Sequence, residues 1–227
     1  MQEACDFDYI YAPLTPYRAE ILRFVERHVP EGASVLDLGC GAVGFYWALG
    51  YLRKAAALRF ADRNEAVLAG LAARLDQLTP AMLERDFADV PPSGLSRETW
   101  LEKLHAVADV AQIDALEAGE GTYGALLAVE LLECAQDEEE LRRIASFCAA
   151  RLVPGGRLIG CTLDYVAWTP SLEALARERL AGRVRIEEKT LRQAIEDAGL
   201  KVADWSVFST GMENHPRAYF FCAEKPA

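Results

Sequence analysis

Ser34-Val35-Leu36-Asp37-Leu38-Gly39-Cys40-Gly41-Ala42-Val43-Gly44-Phe45-Tyr46 decides the fold of this chain. An apolar strand pattern reaches Asp37, turns through Gly39 and Gly41, and passes into a helical pattern. Glycines at such a turn let backbone approach a ligand closely. The helix start that follows leaves amides free to bind it. Further on, a second apolar run, Leu58-Arg59-Phe60-Ala61, ends in Asp62. An acid at the end of that strand can accept hydrogen bonds from ribose hydroxyls. Strand, turn, helix, strand and acid in this order predict a nucleoside-cofactor site in a Rossmann-like sheet.

The spacing narrows the cofactor. Asp37-x-Gly39-x-Gly41-x-x-Gly44 departs from Gly-x-Gly-x-x-Gly, which argues against a nicotinamide dinucleotide and toward S-adenosylmethionine. The 227 residues fit a single domain, with 1–30 forming a lid and helix and 31–227 the core. A formal net charge of −11 and the lack of a basic tract exclude nucleic acid as the expected partner. Cys5, Cys40, Cys134, Cys148, Cys161 and Cys222 are scattered, with no Cys-x-x-Cys pair. They predict reduced, mostly buried thiols of a cytoplasmic protein, with neither a disulfide framework nor a metal site. Met1-Gln2-Glu3-Ala4-Cys5-Asp6 carries no leader pattern, and no apolar run reaches membrane-spanning length.

The rest of the chain alternates strand and helix signals. Thr15-Pro16 predicts a helix start, with Ile21, Leu22, Val25 and Val29 as its apolar stripe. Helical spacing joins Val67, Leu68, Leu71 and Leu75. Pro80 to Asp86 predicts a weak strand. Ser96 opens a helix bearing Trp100, Leu101, Leu104 and Val107, and 110–113 predicts a short strand before Asp114. Tyr123 to Val129 predicts a buried strand. Asp137 caps a helix reaching Leu152, whose first turn holds Glu138, Glu139 and Glu140, as the helix dipole favours. Pro154-Gly155-Gly156 predicts a tight turn into a strand at 157–162. Thr190 and Gln193 predict a capping box, and Gly199 a C-cap. Strands at 202–208 and 218–224 flank a polar loop at 210–217. The expected fold is α/β, a mostly parallel sheet with an antiparallel closing hairpin and helices on both faces.

With these residues in view, the chain resembles the class I S-adenosylmethionine-dependent methyltransferases. Within them it is similar to the nicotinamide, phenylethanolamine and indolethylamine N-methyltransferases. Tyr11-Ala12-Pro13, Trp100 through Ile113-Asp114-Ala115, Ala125 through Glu133-Cys134, and Glu188 through Leu200 carry that resemblance. It departs at Ala42-Val43, where the family has Pro-Thr, and at Asn64, which lies nearer Asp62 than the family's Asn does. The resemblance implies a seven-stranded sheet and a small-molecule acceptor, in a monomer or weak homodimer.

It also implies roles. Asp62, with Arg63 and Asn64, faces the ribose. Asp37, Gly39, Cys40 and Gly41 lie near the methionine end, where Asp37 suits the ammonium. Phe45 and Tyr46 open the helix, one toward cofactor and one toward core, and Val129 ends the fourth strand beside the site. Asp114 and Ala115 face adenine, with Asp86 as rival. Tyr11 closes over the methionine moiety. On the acceptor side stand Asp164, Glu130, Glu213 and His215, with Glu133, Tyr165, Trp168 and Asn214 nearby. His28 and His105 are expected to be structural. A carboxylate could orient an amine and take its proton. An oxygen acceptor, or a module that binds S-adenosylmethionine without catalysis, are the alternatives. S-adenosylhomocysteine is the expected product.

Overall fold

β-branched and leucine side chains at Ser34–Leu38 have sheet neighbours on both sides, so β1 (Ala33–Leu38) is apolar almost throughout and buried. The computed structural model of the protein describes residues 16–86, 94–116, 121–163, 187–212 and 215–227. Their elements run α1 (Pro16–His28), β1, α2 (Phe45–Tyr51), β2 (Ala55–Asp62), α3 (Glu65–Gln77), α4 (Pro80–Asp86), α5 (Arg97–Val107), β3 (Ala108–Gln112), β4 (Tyr123–Val129), α6 (Glu138–Arg151), β5 (Leu152–Leu163), α7 (Glu188–Asp197), β6 (Lys201–Met212) and β7 (His215–Glu224).

The seven strands form one sheet in the order β3-β2-β1-β4-β5-β7-β6. Pairs from β3 through β5 are parallel, whereas β7 is antiparallel to both β5 and β6. The chain crosses from the β1-β2-β3 half to the β4-β5 half between β1 and β4. That reversal opens a crevice at the carboxyl ends of β1 and β4, where such sheets bind ligands. One face of the sheet buries Tyr17, Phe24, Phe45, Leu49, Phe60, Trp100 and Phe220 against α1, α2, α3 and α5. The other buries Leu126, Leu132, Ile144, Leu158, Leu191 and Phe221 against α6 and α7.

Local chemistry explains the helix starts. Asn64 Oδ1 accepts from the amides of Ala66 (3.0 Å) and Val67 (3.4 Å), and Asp137 Oδ1 from that of Glu140 (2.7 Å). His28 and His105 are held within the fold, at Asp204 Oδ2 (2.8 Å) and the Leu75 carbonyl (3.1 Å). Among the described residues, Cys40, Cys134, Cys148, Cys161 and Cys222 form no disulfide.

Several expectations need correction. Residues Pro80–Asp86 form a helix rather than a weak strand, packed through the buried Leu83. The third strand is Ala108–Gln112, so Asp114 follows it and Asp86 does not. Thr190 lies inside α7, whose N-cap is Glu187 without a side-chain bond, so there is no Thr190–Gln193 box. At the other end of α7, Gly199 does close the helix at φ 84°. Pro154-Gly155-Gly156 belongs to β5 as an irregularity, where the register steps from Tyr123↔Leu152 to Ala125↔Arg157. Finally, β6 and β7 extend into the predicted 210–217 loop, pairing as far as Met212↔His215.

The centre of the sheet leaves no room at Gly160. A Cβ there would lie 2.5 Å from both the Ala128 carbonyl oxygen and Phe221 Cζ. Gly160→Ala is expected to lower stability by about 1–3 kcal/mol, the usual cost of overpacking. Urea unfolding followed by circular dichroism would measure it, and an unchanged midpoint would contradict this packing.

Candidate active site

β1 and β2 deliver the two acids first. Asp37 is the fifth residue of β1 and is 1% exposed, and Asp62 ends β2. After β1, Gly39 (φ 69°) and Gly41 (φ 62°) take left-handed conformations that side chains resist. A Cβ on Gly39 would come within 2.6 Å of Leu131 Cδ1. Close approach of the β1 turn to the segment after β4 therefore requires glycine at 39.

Asp62 ties this turn to the next one. Its Oδ2 accepts from the Gly41 amide at 3.2 Å and its Oδ1 from the Asn64 amide at 2.9 Å. Each carboxylate oxygen has a second lone pair, so two acceptor directions remain for hydroxyls. Asp37 lies beneath the turn. Burial pushes its carboxyl well up from the usual range, and the charge of Asp62 adds to that. Asp37 Oδ2 is buried without a hydrogen-bond partner, and Gly44 lies against it, where a Cβ would be 3.2 Å away.

The crevice holds a cavity of about 250 Å³. Gly39, Asp62, Arg63 and Asn64 form one wall, and Ile113, Asp114, Ala115 and Leu116 another. Glu130, Leu131 and Cys134 form a third, closed by Glu140 and Ile144 of α6. Asp114 Oδ1 accepts from the Leu116 amide (2.9 Å), a local turn that fixes the segment after β3. Cys40, Phe45, Tyr46 and Val129 are core residues behind these walls, at 2–6% exposure. Tyr46 packs edge-on against Trp47, and burial lifts its phenol to about 12. Asn64 spends its side-chain oxygen on capping α3.

Glu130 stands where β4 leaves the sheet. It is the one described non-glycine residue with positive φ, 54°. That strain costs of order 1–3 kcal/mol and persists because neighbours over-determine it. The Glu130 amide donates to the Cys161 carbonyl (2.9 Å), and Tyr17 Oη donates to Glu130 Oε1 (2.9 Å). Burial raises the Glu130 carboxyl, while the Tyr17 hydroxyl and the Arg18 guanidinium pull it back down. Glu133 is not a solvated helix-start acid. It is 4% exposed, and its Oε2 accepts from Thr162 Oγ1 (2.5 Å) and the Leu163 amide (3.2 Å). It therefore braces the end of β5 rather than facing the cavity.

Tyr17 and Arg18 were not foreseen from sequence as site neighbours. Both are buried on α1, at 1% and 5% exposure. Tyr17 continues the stripe Ile21-Phe24-Val25 one turn back, and that spacing is the signal that could have found it. Of the other predicted residues, Tyr11, Asp164, Tyr165, Trp168, Glu213 and Asn214 lie outside the described residues, as does the side chain of His215.

This strand order, with an antiparallel seventh strand inserted beside the fifth, is the class I methyltransferase architecture. A family profile described as "Methyltransferase domain" matches residues 11–204. The chain belongs to that family, as a class I S-adenosylmethionine-dependent methyltransferase domain. Among curated proteins no sequence matches it. Solved structures share its fold at low identity. N-methyltransferase NodS from Bradyrhizobium japonicum WM9, in complex with S-adenosyl-L-homocysteine, is 14% identical with a TM-score of 0.64, covering 97% of each chain. Magnesium protoporphyrin IX methyltransferase (ChlM) from Synechocystis PCC 6803 is 15% identical with a TM-score of 0.61, covering 99% of this chain and 90% of that one. A putative methyltransferase in complex with the Haloferax volcanii Trm112 activator is 15% identical with a TM-score of 0.60, covering all of both chains. Among the described residues no helix is long and apolar enough to cross a membrane.

Proposed function

We propose that this protein transfers the methyl group of S-adenosylmethionine to the nitrogen of a small amine or N-heterocycle. The carrying observation is Glu130: a strained, largely buried carboxylate on the wall of the cavity that also holds Gly39 and Asp62. The sequence resemblance to the nicotinamide, phenylethanolamine and indolethylamine N-methyltransferases points the same way. It adds Asp164, Glu213 and His215 as further acceptor-side groups. The structural neighbours include a named N-methyltransferase and an O-methyltransferase family protein, so fold does not choose the acceptor atom.

The residues present fit the cofactor. Asp62 retains acceptor directions for the ribose hydroxyls, and the left-handed Gly39 lines the same cavity. Asp37 lies beneath the glycine turn rather than on the cavity wall; burial holds its carboxyl up, and a nearby ammonium would favour its ionised form, directly or through water. Asp114 and Ala115 line the part of the wall assigned to adenine. When bound, S-adenosylmethionine supplies an electrophilic methyl on a sulfonium, open to in-line displacement.

The protein's task is then alignment more than acid–base power. Glu130 orients the amine by accepting a hydrogen bond, so that the nitrogen lone pair faces the methyl carbon. With S-adenosylmethionine bound, an acceptor nitrogen that took the methyl and released S-adenosylhomocysteine would become cationic, with a proton to lose in an amine and none in a pyridine. Glu130 stabilises that charge and takes the proton, directly or after release. A phenolate or carboxylate acceptor would instead meet repulsion from this carboxylate. The acceptor is a free small molecule, and the protein works in the cytoplasm as a monomer or weak homodimer.

A panel of small amines, pyridines, phenols and carboxylic acids, assayed with methyl-labelled cofactor, tests this reading. Nitrogen acceptors are expected to be methylated. Glu130→Gln is expected to slow that by about 10- to 100-fold, the effect of one hydrogen bond to a charged group. Affinity for S-adenosylhomocysteine should stay within about threefold of the parent value, because Glu130 is assigned to the acceptor. Methylation confined to oxygen acceptors would sink the proposal.

Adenine recognition has its own test. Asp114→Ala is expected to weaken S-adenosylhomocysteine by about 1–2 kcal/mol, whereas Asp86→Ala leaves it unchanged. The reverse order in a calorimetric titration would move adenine to the other acid.

A further inference from the structure

We propose that Tyr17 of α1 is a positioning residue for methyl transfer, holding the Glu130 carboxylate by one oxygen so that the other faces the acceptor. The inference rests on the role just given to Glu130. Its own basis is the geometry that joins two elements 113 residues apart in sequence.

Tyr17 Oη donates to Glu130 Oε1 at 2.9 Å and lies 3.5 Å from Cys161 Sγ. Its ring is wedged edge-on against Phe220, with centroids 6.1 Å apart, and tilted against Phe208 at 6.4 Å. A phenol so confined cannot rotate away without disturbing the core. Glu130 is confined by its left-handed backbone and by the bond from its amide to the Cys161 carbonyl. With Oε1 taken, the geometry leaves Oε2 for the cavity. Both ends of the clamp belong to rigid elements, which suits a group that must orient a nucleophile closely.

Packing alone is a weaker account of this hydroxyl. A phenylalanine would fill the same aromatic nest, and the buried oxygen earns its place only through Glu130 and Cys161. Among the described residues, the titratable and charged groups around Glu130 include Tyr17 and Arg18 of α1, Cys161 of β5, and Glu133 and Cys134 after β4. Tyr17 and Arg18 favour the ionised carboxylate, and burial opposes it. Tyr17 itself stays protonated, because burial and then the nearby acidic groups push its phenol well up. It remains a donor at every working pH.

The test is Tyr17→Phe, with Glu130→Gln and the double variant beside it. The direct readout is the Glu130 carboxyl titration by carbon-13 NMR, on protein bound to S-adenosylhomocysteine. Loss of the donated bond is expected to move that titration to higher pH. S-adenosylhomocysteine affinity by calorimetry and the thermal midpoint serve as controls for the fold. With the nitrogen acceptors of the panel, Tyr17→Phe is expected to lower kcat by about tenfold and to move the acid limb of the pH–rate profile upward. The double variant should be no slower than Glu130→Gln alone. An unmoved Glu130 titration, or additive losses in the double variant, would overturn the Tyr17 assignment even where Glu130→Gln is impaired. Full activity of Glu130→Gln would instead overturn the role of Glu130 and leave the NMR titration to report the clamp by itself.

Discussion

An Asp62→Ala variant is expected to bind S-adenosylhomocysteine about 30- to 1,000-fold more weakly, a loss of about 2–4 kcal/mol. An acid that only touched a ribose would cost less. Here the carboxylate also holds the Gly41 and Asn64 amides, so its removal frees the glycine turn and the entry to α3 together. Loss of direct contacts and loss of preorganisation then fall on the same measurement. Asp62→Asn should fall between parent and alanine, because it keeps one acceptor oxygen but turns an amide donor toward a backbone N–H. Calorimetric titration separates the three. Affinity within about threefold of the parent in the alanine variant would remove Asp62 from the site.

The second large effect concerns stability. Glu133→Ala is expected to destabilise the fold by about 3–5 kcal/mol, because it strands buried partners and opens a void. Thr162 and the Leu163 amide both lose this acceptor at the buried end of β5. Glu133→Gln keeps an acceptor oxygen of nearly the same shape and should cost less than half as much. Denaturant unfolding of the two variants gives the comparison. Equal midpoints for Glu133→Ala and the parent would mean that the brace contributes nothing.

These two acids show what sequence can reveal here. Asp62 was legible because its neighbours are local: a strand before it, a capped helix after it, and a glycine turn one strand away. Glu133 was not. Its spacing after β4 matches a solvated helix start equally well, and only the tertiary approach of β5 decides between the two. Tyr17 fails for the same reason, since its partner is distant in sequence. The spurious strand at 80–86, read ahead of the short 110–113 strand that β3 largely bears out, has another cause. β3 is an edge strand of half-exposed residues, Ala108-Asp109-Val110-Ala111-Gln112, so it lacks the apolar signal of β1 or β4. Pro80-Ala81-Met82-Leu83 offered more apolar density but formed a helix. α7 shows how a capping pattern misleads: Thr190 and Gln193 match the motif, yet the helix begins earlier at Glu188. The strongly periodic α6, with Asp137 as its side-chain cap, was placed to within a residue, and the apolar spacing of α3 was read although its cap, Asn64, was not.

The position of β7 has a consequence for how the chain acquires its structure. β7 follows β6 in sequence but lies between β5 and β6 in space. During synthesis β6 therefore leaves the ribosome with no neighbour to join, and β5 is left with one open side. Until His215–Glu224 arrives, two hydrogen-bonding edges stay exposed, and the aromatic faces that Phe220 and Phe221 cover remain wet. The final insertion is a non-local step that must find both sides at once, the kind of pairing that slows folding. A nascent chain stalled before residue 215 should recruit chaperones and aggregate, whereas release of the last strand should make the whole sheet resistant to protease in a single cooperative step.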